Sequence, residues 1–295
     1  MSENIIGILI LFVMYSLQAF IDKTASNYSK ESASTMGYGV AKNFICTIIS
    51  FCIIAFGGIS KPTTPVVLIS LLAGIPQAVC TVTILWSLQK YSIMQVNLFM
   101  TASVLVPIVA GTFLFDENFT LFKAFLIIVI IFGSGLILGI KKLSDLKFGG
   151  KNFVLLIIVW FFYGAIMLAQ KMYAKYIPNG NIMELSLYMY FIGTVTLLLW
   201  SLIAKIKQRN KNEKVLILPK GKLLVFCVAS AVVILVMTYY LTSLSATLPT
   251  YLLFPLTNGS KLIFVLIISY LVFKEKPTKR MLLGCLIVLS AVLLL

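Results

Sequence analysis

The sequence predicts an all-α integral membrane protein with ten transmembrane helices arranged as two inverted five-helix repeats. Three observations carry this expectation. Of 295 residues, 60% are hydrophobic and 11% charged, where about 25% charge is usual for a globular protein; the mean hydropathy is +1.05. Ten apolar runs are each long enough to cross a bilayer, which takes about 20 residues. Motifs near the ends of the first half recur at matching places in the second. Barrel strands would alternate polar and apolar residues over about 10 positions, and these runs do not.

Taken in order, the predicted spans are 4–21, 35–58, 64–88, 92–115, 119–140, 152–170, 182–204, 221–243, 245–273 and 280–295. The first lacks a basic leader and a small-residue cleavage site and runs into Asp22-Lys23, so it reads as a span and not as a signal peptide. Spans 2 and 9 carry lysines, Lys42 and Lys261, at a cost that their apolar neighbours offset. The loops are short, so consecutive spans are neighbours, and no soluble domain fits between them. Residues 1–150 form the first predicted repeat and 151–295 the second.

The net charge is +15, which in a soluble chain would suggest nucleic acid. Its distribution points to the bilayer instead. Loops after spans 1, 3, 5, 7 and 9 hold 18 of the 24 Lys and Arg residues, whereas the opposite side holds four: Lys61, Lys123, Lys171 and Lys175. By the positive-inside rule, the odd-numbered loops are expected in the cytoplasm, with both termini outside a cell membrane. With no histidine, His-based triads, imidazole relays and His-ligated metal are excluded. Cys46, Cys52, Cys80, Cys227 and Cys285 lie in apolar runs without a C-x-x-C pair, and read as small core residues.

The repeat rests on two anchors. Tyr15, Lys23 and Tyr28 have the spacing of Tyr163, Lys171 and Tyr176, 148 positions later. Phe115-Asp116-Glu117-Asn118-Phe119-Thr120 returns as Phe273-Lys274-Glu275-Lys276-Pro277-Thr278 at an offset of 158, which a longer loop over 205–222 explains. Five spans per half is an odd number, so the second half enters the membrane upside down. Inverted repeats of this kind build secondary transporters, with the substrate near the midplane.

The segment Phe273-Lys274-Glu275-Lys276-Pro277-Thr278, followed by Gly284, resembles the F-x-E-x-x-T … G signature that closes each half of the drug/metabolite transporter superfamily (EamA-like). Leu88-Gln89-Lys90-Tyr91-Ser92 resembles that family's short turn between spans 3 and 4. The resemblance covers essentially the whole chain and implies a ten-helix secondary transporter, not an enzyme, without cofactor or metal. Two departures stand. Leu126 occupies the place of Gly284 in the first half, and the family is usually drawn with both termini cytoplasmic, opposite to the basic-residue count.

Polar side chains inside spans are the candidate substrate-binding residues. Lys261 is the deepest charge, with Asn258 one turn before it and Pro255 and Gly259 alongside. Asn258-Gly259-Ser260-Lys261 resembles the N-x-x-K of the superfamily's sugar-phosphate branch, where the lysine meets phosphate; snorkelling is the competing reading. Lys42 in span 2 has the same two readings. Tyr188 and Tyr239 are the favoured pocket aromatics among Trp86, Trp160, Tyr188, Tyr190, Tyr239 and Tyr240. Asn97 and Thr101 share a face of span 4 and serve either substrate or helix contact. Asp22 is read as ending span 1, Glu184 lies near the start of span 7, and Glu117 and Glu275 read as helix-terminal residues. Deep cations without a deep carboxylate point to an anionic guest.

The expected function is a secondary carrier moving a small polar, anionic or zwitterionic metabolite by alternating access. The alternatives are a flippase for a lipid-linked sugar and, in another class, a membrane enzyme acting on lipid, which the absence of histidine and of a deep acid pair disfavours. The expected partners are a small-molecule substrate and the lipid bilayer, with no nucleic acid; a homodimer is left open.

Overall fold

The computed structural model describes residues 2–57, 62–115, 120–137, 151–207, 214–271, 274 and 277–294, without the side chains of 259–269 and of a few isolated helical positions. Among them the regular structure is entirely helical. In order come α1 (Ser2–Tyr28), α2 (Ser32–Gly57), α3 (Thr64–Lys90), α4 (Ile93–Ala102), α5 (Leu105–Leu114), α6 (Leu121–Ile137), α7 (Lys151–Tyr176), α8 (Ile182–Lys207), α9 (Lys222–Thr247), α10 (Thr250–Leu271) and α11 (Lys279–Leu294). Seven described segments are long and apolar enough to cross a membrane: Asn4–Tyr28, Ser32–Phe56, Thr64–Lys90, Gln95–Leu114, Phe153–Tyr176, Ile182–Lys207 and Lys222–Thr247. Helices suit lipid because each satisfies its own backbone polar groups. Large apolar side chains such as Phe56, Phe113, Leu121 and Ile206 stay exposed on the outer surface, where lipid tails replace water as their neighbours.

Two expectations change. The run 92–115 is broken into α4 and α5, with Ser103 and Val104 between them. Ser92 opens α4 through a capping box with Gln95, so the turn after Lys90 lies where the sequence placed it. Pro107 has no N–H to offer the Ser103 carbonyl, and Trp160 Nε1 of α7 donates to the Ala102 carbonyl at 3.0 Å. Gly164 lets α7 pass close to the break, since a Cβ there would lie 2.6 Å from both the Ser103 carbonyl oxygen and Val106 Cβ. The second change is at α1, which continues to Tyr28. Asp22 is therefore an interior helical residue, only 6% exposed, and not the end of a span.

The packing joins the two halves of the chain throughout. Helix α3 packs on α7 and α8, α1 on α9 and α10, α2 on α8 and α9, α4 on α7 and α10, and α6 on α11. Small residues sit where helices approach most closely. A Cβ on Gly74 of α3 would lie 2.6 Å from the Met189 carbonyl of α8, and one on Gly133 of α6 would lie 3.1 Å from the Gly284 carbonyl of α11. Residues 214–220 cross the start of α2 as an extended strap. Ile217 N–H donates to the Ala33 carbonyl at 3.0 Å, and the missing side chain of Gly37 leaves space for the Ile217 carbonyl.

Candidate functional site

A cavity of about 60 Å³ lies between α1, α2, α3, α4, α7, α8 and α9, with room for about four water molecules. Each contributing helix offers polar groups because its packed stripe carries them. Helix α1 presents Tyr15, Gln18 and Asp22, α2 presents Lys42, and α3 presents Gln77 and Thr81; Asn97 comes from α4, Tyr163 and Gln170 from α7, Tyr190 from α8 and Thr238 from α9. Apolar side chains such as Ile84, Met100 and Met237 fill the intervals.

Several of these groups are held in place by neighbours. Gln18 Nε2 donates to Asp22 Oδ1 and to Ser230 Oγ, both at 2.8 Å. Tyr190 Oη and Thr238 Oγ1 are 2.9 Å apart. Asn97 Nδ2 donates to the Ile93 carbonyl at 2.9 Å. Tyr15 and Tyr163, the leading tyrosines of the two repeated motifs, pack in one cluster. The Gln18 Oε1 and Gln170 Oε1 atoms are buried without a hydrogen-bond partner.

Charge is sparse and opposed. Lys42 is 3% exposed and lines the same cavity as Asp22. With Asp22 inside α1, the cavity therefore holds a carboxylate that the sequence reading puts at the end of a span. Buried charges in such a site need a partner or an ion-sized guest.

The expected site residues divide. Lys42 and Asn97 line the cavity. Thr101 ties α4 to α10 beside it, donating to the Asn97 carbonyl at 2.9 Å and to the Asn258 carbonyl at 3.3 Å. Asn258 is fully buried, with Nδ2 bonded to the Phe254 carbonyl at 3.0 Å and Oδ1 unpartnered among the described residues. Lys261 has helical backbone in α10, but its side chain lies outside the described residues. Tyr188 does not line the cavity; it packs in the cluster around Cys46, Tyr173 and Met189. Tyr239 is 42% exposed and meets Tyr240 edge to face at 5.4 Å, so it faces outward. Glu117 and Glu275 lie outside the described residues. Cys46, Cys80, Cys227 and Cys285 are buried, whereas Cys52 is exposed on α2, contrary to the core reading.

The sequence reading missed Asp22, Gln18, Gln170 and the choice of Tyr190 over Tyr188. A signal for Tyr190 was present. The buried stripe of α8 runs through Ser186, Tyr190, Gly193, Thr194 and Ser201, and small or hydroxylated residues at helical spacing mark the packed face. Tyr188 lies off that stripe.

Comparison with known proteins agrees with this architecture. No curated protein matches the chain. Twenty-eight chains of solved structures match it. One of them, titled only as the crystal structure of a protein, superposes with a TM-score of 0.67 at 11% identity, covering 99% of this chain and 95% of its own. At that identity the likeness speaks for the fold. Residues 151–295 match the model of the EamA-like transporter family. The second half of this chain is thus similar to the EamA-like transporter family, in line with the resemblance to the drug/metabolite transporter superfamily, and the apolar helices fit a multi-pass membrane protein.

Proposed function

We propose that the protein is a secondary carrier that moves a small polar metabolite, anionic or zwitterionic, by alternating access across the cell membrane. The observation that carries this reading is the cavity itself: helices from both halves enclose it, and Lys42 and Asp22 both line it. A carboxylate or phosphate would answer Lys42, and the presence of Asp22 favours the zwitterionic members of that class. Lys261 and Asn258 of α10 belong to the proposal as further candidate substrate contacts, with the backbone around Pro255 opened by the missing proline donor.

The reading of ten spans as two inverted repeats is part of the same proposal. It is supported by a swap symmetry in the packing: α3 on α7 has its counterpart in α9 on α1, while α2 meets α8 and α6 meets α11. It is supported also by the repeated lysines. Lys23 donates to the carbonyls of Leu88 and Tyr91 at the end of α3, at 3.1 and 3.5 Å. Lys171 donates to those of Ser245 and Leu248 at the end of α9, at 2.9 and 2.8 Å.

The test is transport by the purified protein alone in proteoliposomes, after a thermal-shift screen of amino acids, organic acids and sugar phosphates. Uptake or counterflow of a solute from these classes is expected. Lys42→Gln should then weaken its binding by about 2 kcal/mol or more, as truncating a buried charge partner does, with Lys261→Met as the matching probe of α10. If no solute of these classes is carried, the reading fails. If Lys42→Gln and Lys261→Met both bind like wild type, its anionic half fails.

A further inference from the structure

We propose that Asp22, Gln18 and Gln170 form a subsite for a monovalent cation, either the ammonium group of the carried solute or a free sodium ion. The proposal deepens the carrier reading by naming the chemistry of one end of the cavity. All three residues line it, at 6%, 5% and 3% exposure. Among the described residues Asp22 makes no ion pair, although Lys42 lines the same cavity. A carboxylate held that way is costly unless a cation arrives.

The surrounding geometry prepares oxygen and not nitrogen. Both N–H groups of the Gln18 amide are engaged, one by Asp22 Oδ1 and one by Ser230 Oγ. That fixes the amide's orientation and leaves Gln18 Oε1 buried without a donor. Gln170 Oε1 is likewise buried and unpartnered. An amide oxygen without a donor in a buried site loses its hydration for nothing, and two of them lining the same cavity as one carboxylate offer hard oxygen ligands for a small cation. The two halves contribute unequally. Asp22 immediately precedes Lys23, and Gln170 immediately precedes Lys171, so the repeated motif places a carboxylate on one side and an amide on the other. The net charge of the three residues is then one negative, which suits a single positive charge.

The test uses the full chain, purified, with thermal unfolding followed in sodium chloride, methylammonium chloride and choline chloride at equal ionic strength. Sodium or methylammonium should stabilise the wild type relative to choline. Response to sodium alone identifies a free ion, and response to methylammonium alone identifies the solute's amine. Asp22→Asn should raise the half-saturating concentration about tenfold or more, one decade per 1.4 kcal/mol, while still accepting the Gln18 hydrogen bond. Gln170→Glu, which adds the second carboxylate, should lower it. The subsite is overturned if neither cation stabilises the wild type over choline, or if both variants respond as wild type does. Its failure is separable from failure of the carrier reading. Solute transport that persists unchanged in Asp22→Asn without any cation response removes the subsite alone, whereas a cation response without any solute transport removes the carrier and keeps the subsite.

Discussion

A lysine ammonium buried among apolar helices must find acceptors, and Lys171 finds two carbonyls at the end of α9, Ser245 and Leu248. Helix C-termini leave such carbonyls without internal partners, and a cation beside them also meets the negative end of the helix dipole. Lys171→Met should therefore lower the unfolding temperature in detergent, with a cost of about 1–3 kcal/mol for the stranded carbonyls. Lys23→Met should cost less, because the matching bonds to Leu88 and Tyr91 are longer. Equal losses, or none, would show that these lysines are only interfacial. At this scale the sequence was half legible. Its spacing singled out Lys23 and Lys171 as a pair but could not say that both cap helices. It places Lys42 and Asn97 as site candidates, yet favours Tyr188 and Tyr239 among the aromatics, where the face of the helix decides. Tyr239 points outward because the packed face of α9 runs through Ser230, Thr238, Thr242 and Ser245.

Helix boundaries were the least legible feature at the scale of the element, because an apolar run does not mark where a helix ends. The apolar run of span 1 stops before Asp22, its first charge after the start, whereas the polar residues that follow continue the helix to Tyr28. Their side chains bond back to the helix backbone: Ser26 donates to the Lys23 carbonyl at 2.7 Å and Thr24 to that of Phe20 at 2.8 Å. The break between α4 and α5 has one local signal, Pro107, but it also depends on Trp160 and Gly164 of a helix distant in sequence. Two substitutions test these element-level constraints. Gly164→Val places a side chain into the Ser103 carbonyl and Val106 and should separate α7 from the break, lowering the unfolding temperature; overpacking of this kind costs about 1–3 kcal/mol. Gly37→Ala would overlap the Ile217 carbonyl and should release the strap over 214–220, read as faster proteolysis after Lys214 or Lys220. An unchanged cleavage rate would show that the strap does not depend on that contact.

For the whole molecule, helicity and membrane class followed from composition, because 11% charge cannot clothe a soluble surface. The arrangement of the helices was not legible: the short loops predict neighbours along the chain, whereas the richest packing joins α3 to α7, α2 to α8 and α1 to α9. Orientation remains the property that the fold itself does not set, since a helix bundle packs equally well either way up. It is set by the loops, and with ten spans 18 of 24 basic residues would fall on one side. That side includes Lys214 and Lys220, which are exposed around the strap, while Thr64 and Asn181 are exposed at the opposite helix ends. The positive-inside rule counts short loops near span ends, and every loop here is short enough to qualify. Single cysteines at these four positions, in a background with Cys52 replaced, should separate under an impermeant maleimide applied to intact cells. Thr64→Cys and Asn181→Cys should label, and Lys214→Cys and Lys220→Cys should label only after permeabilisation. The reverse pattern would place both termini in the cytoplasm, as the family is usually drawn, and would mean that the lysine-rich 205–222 segment crosses the membrane against its charge.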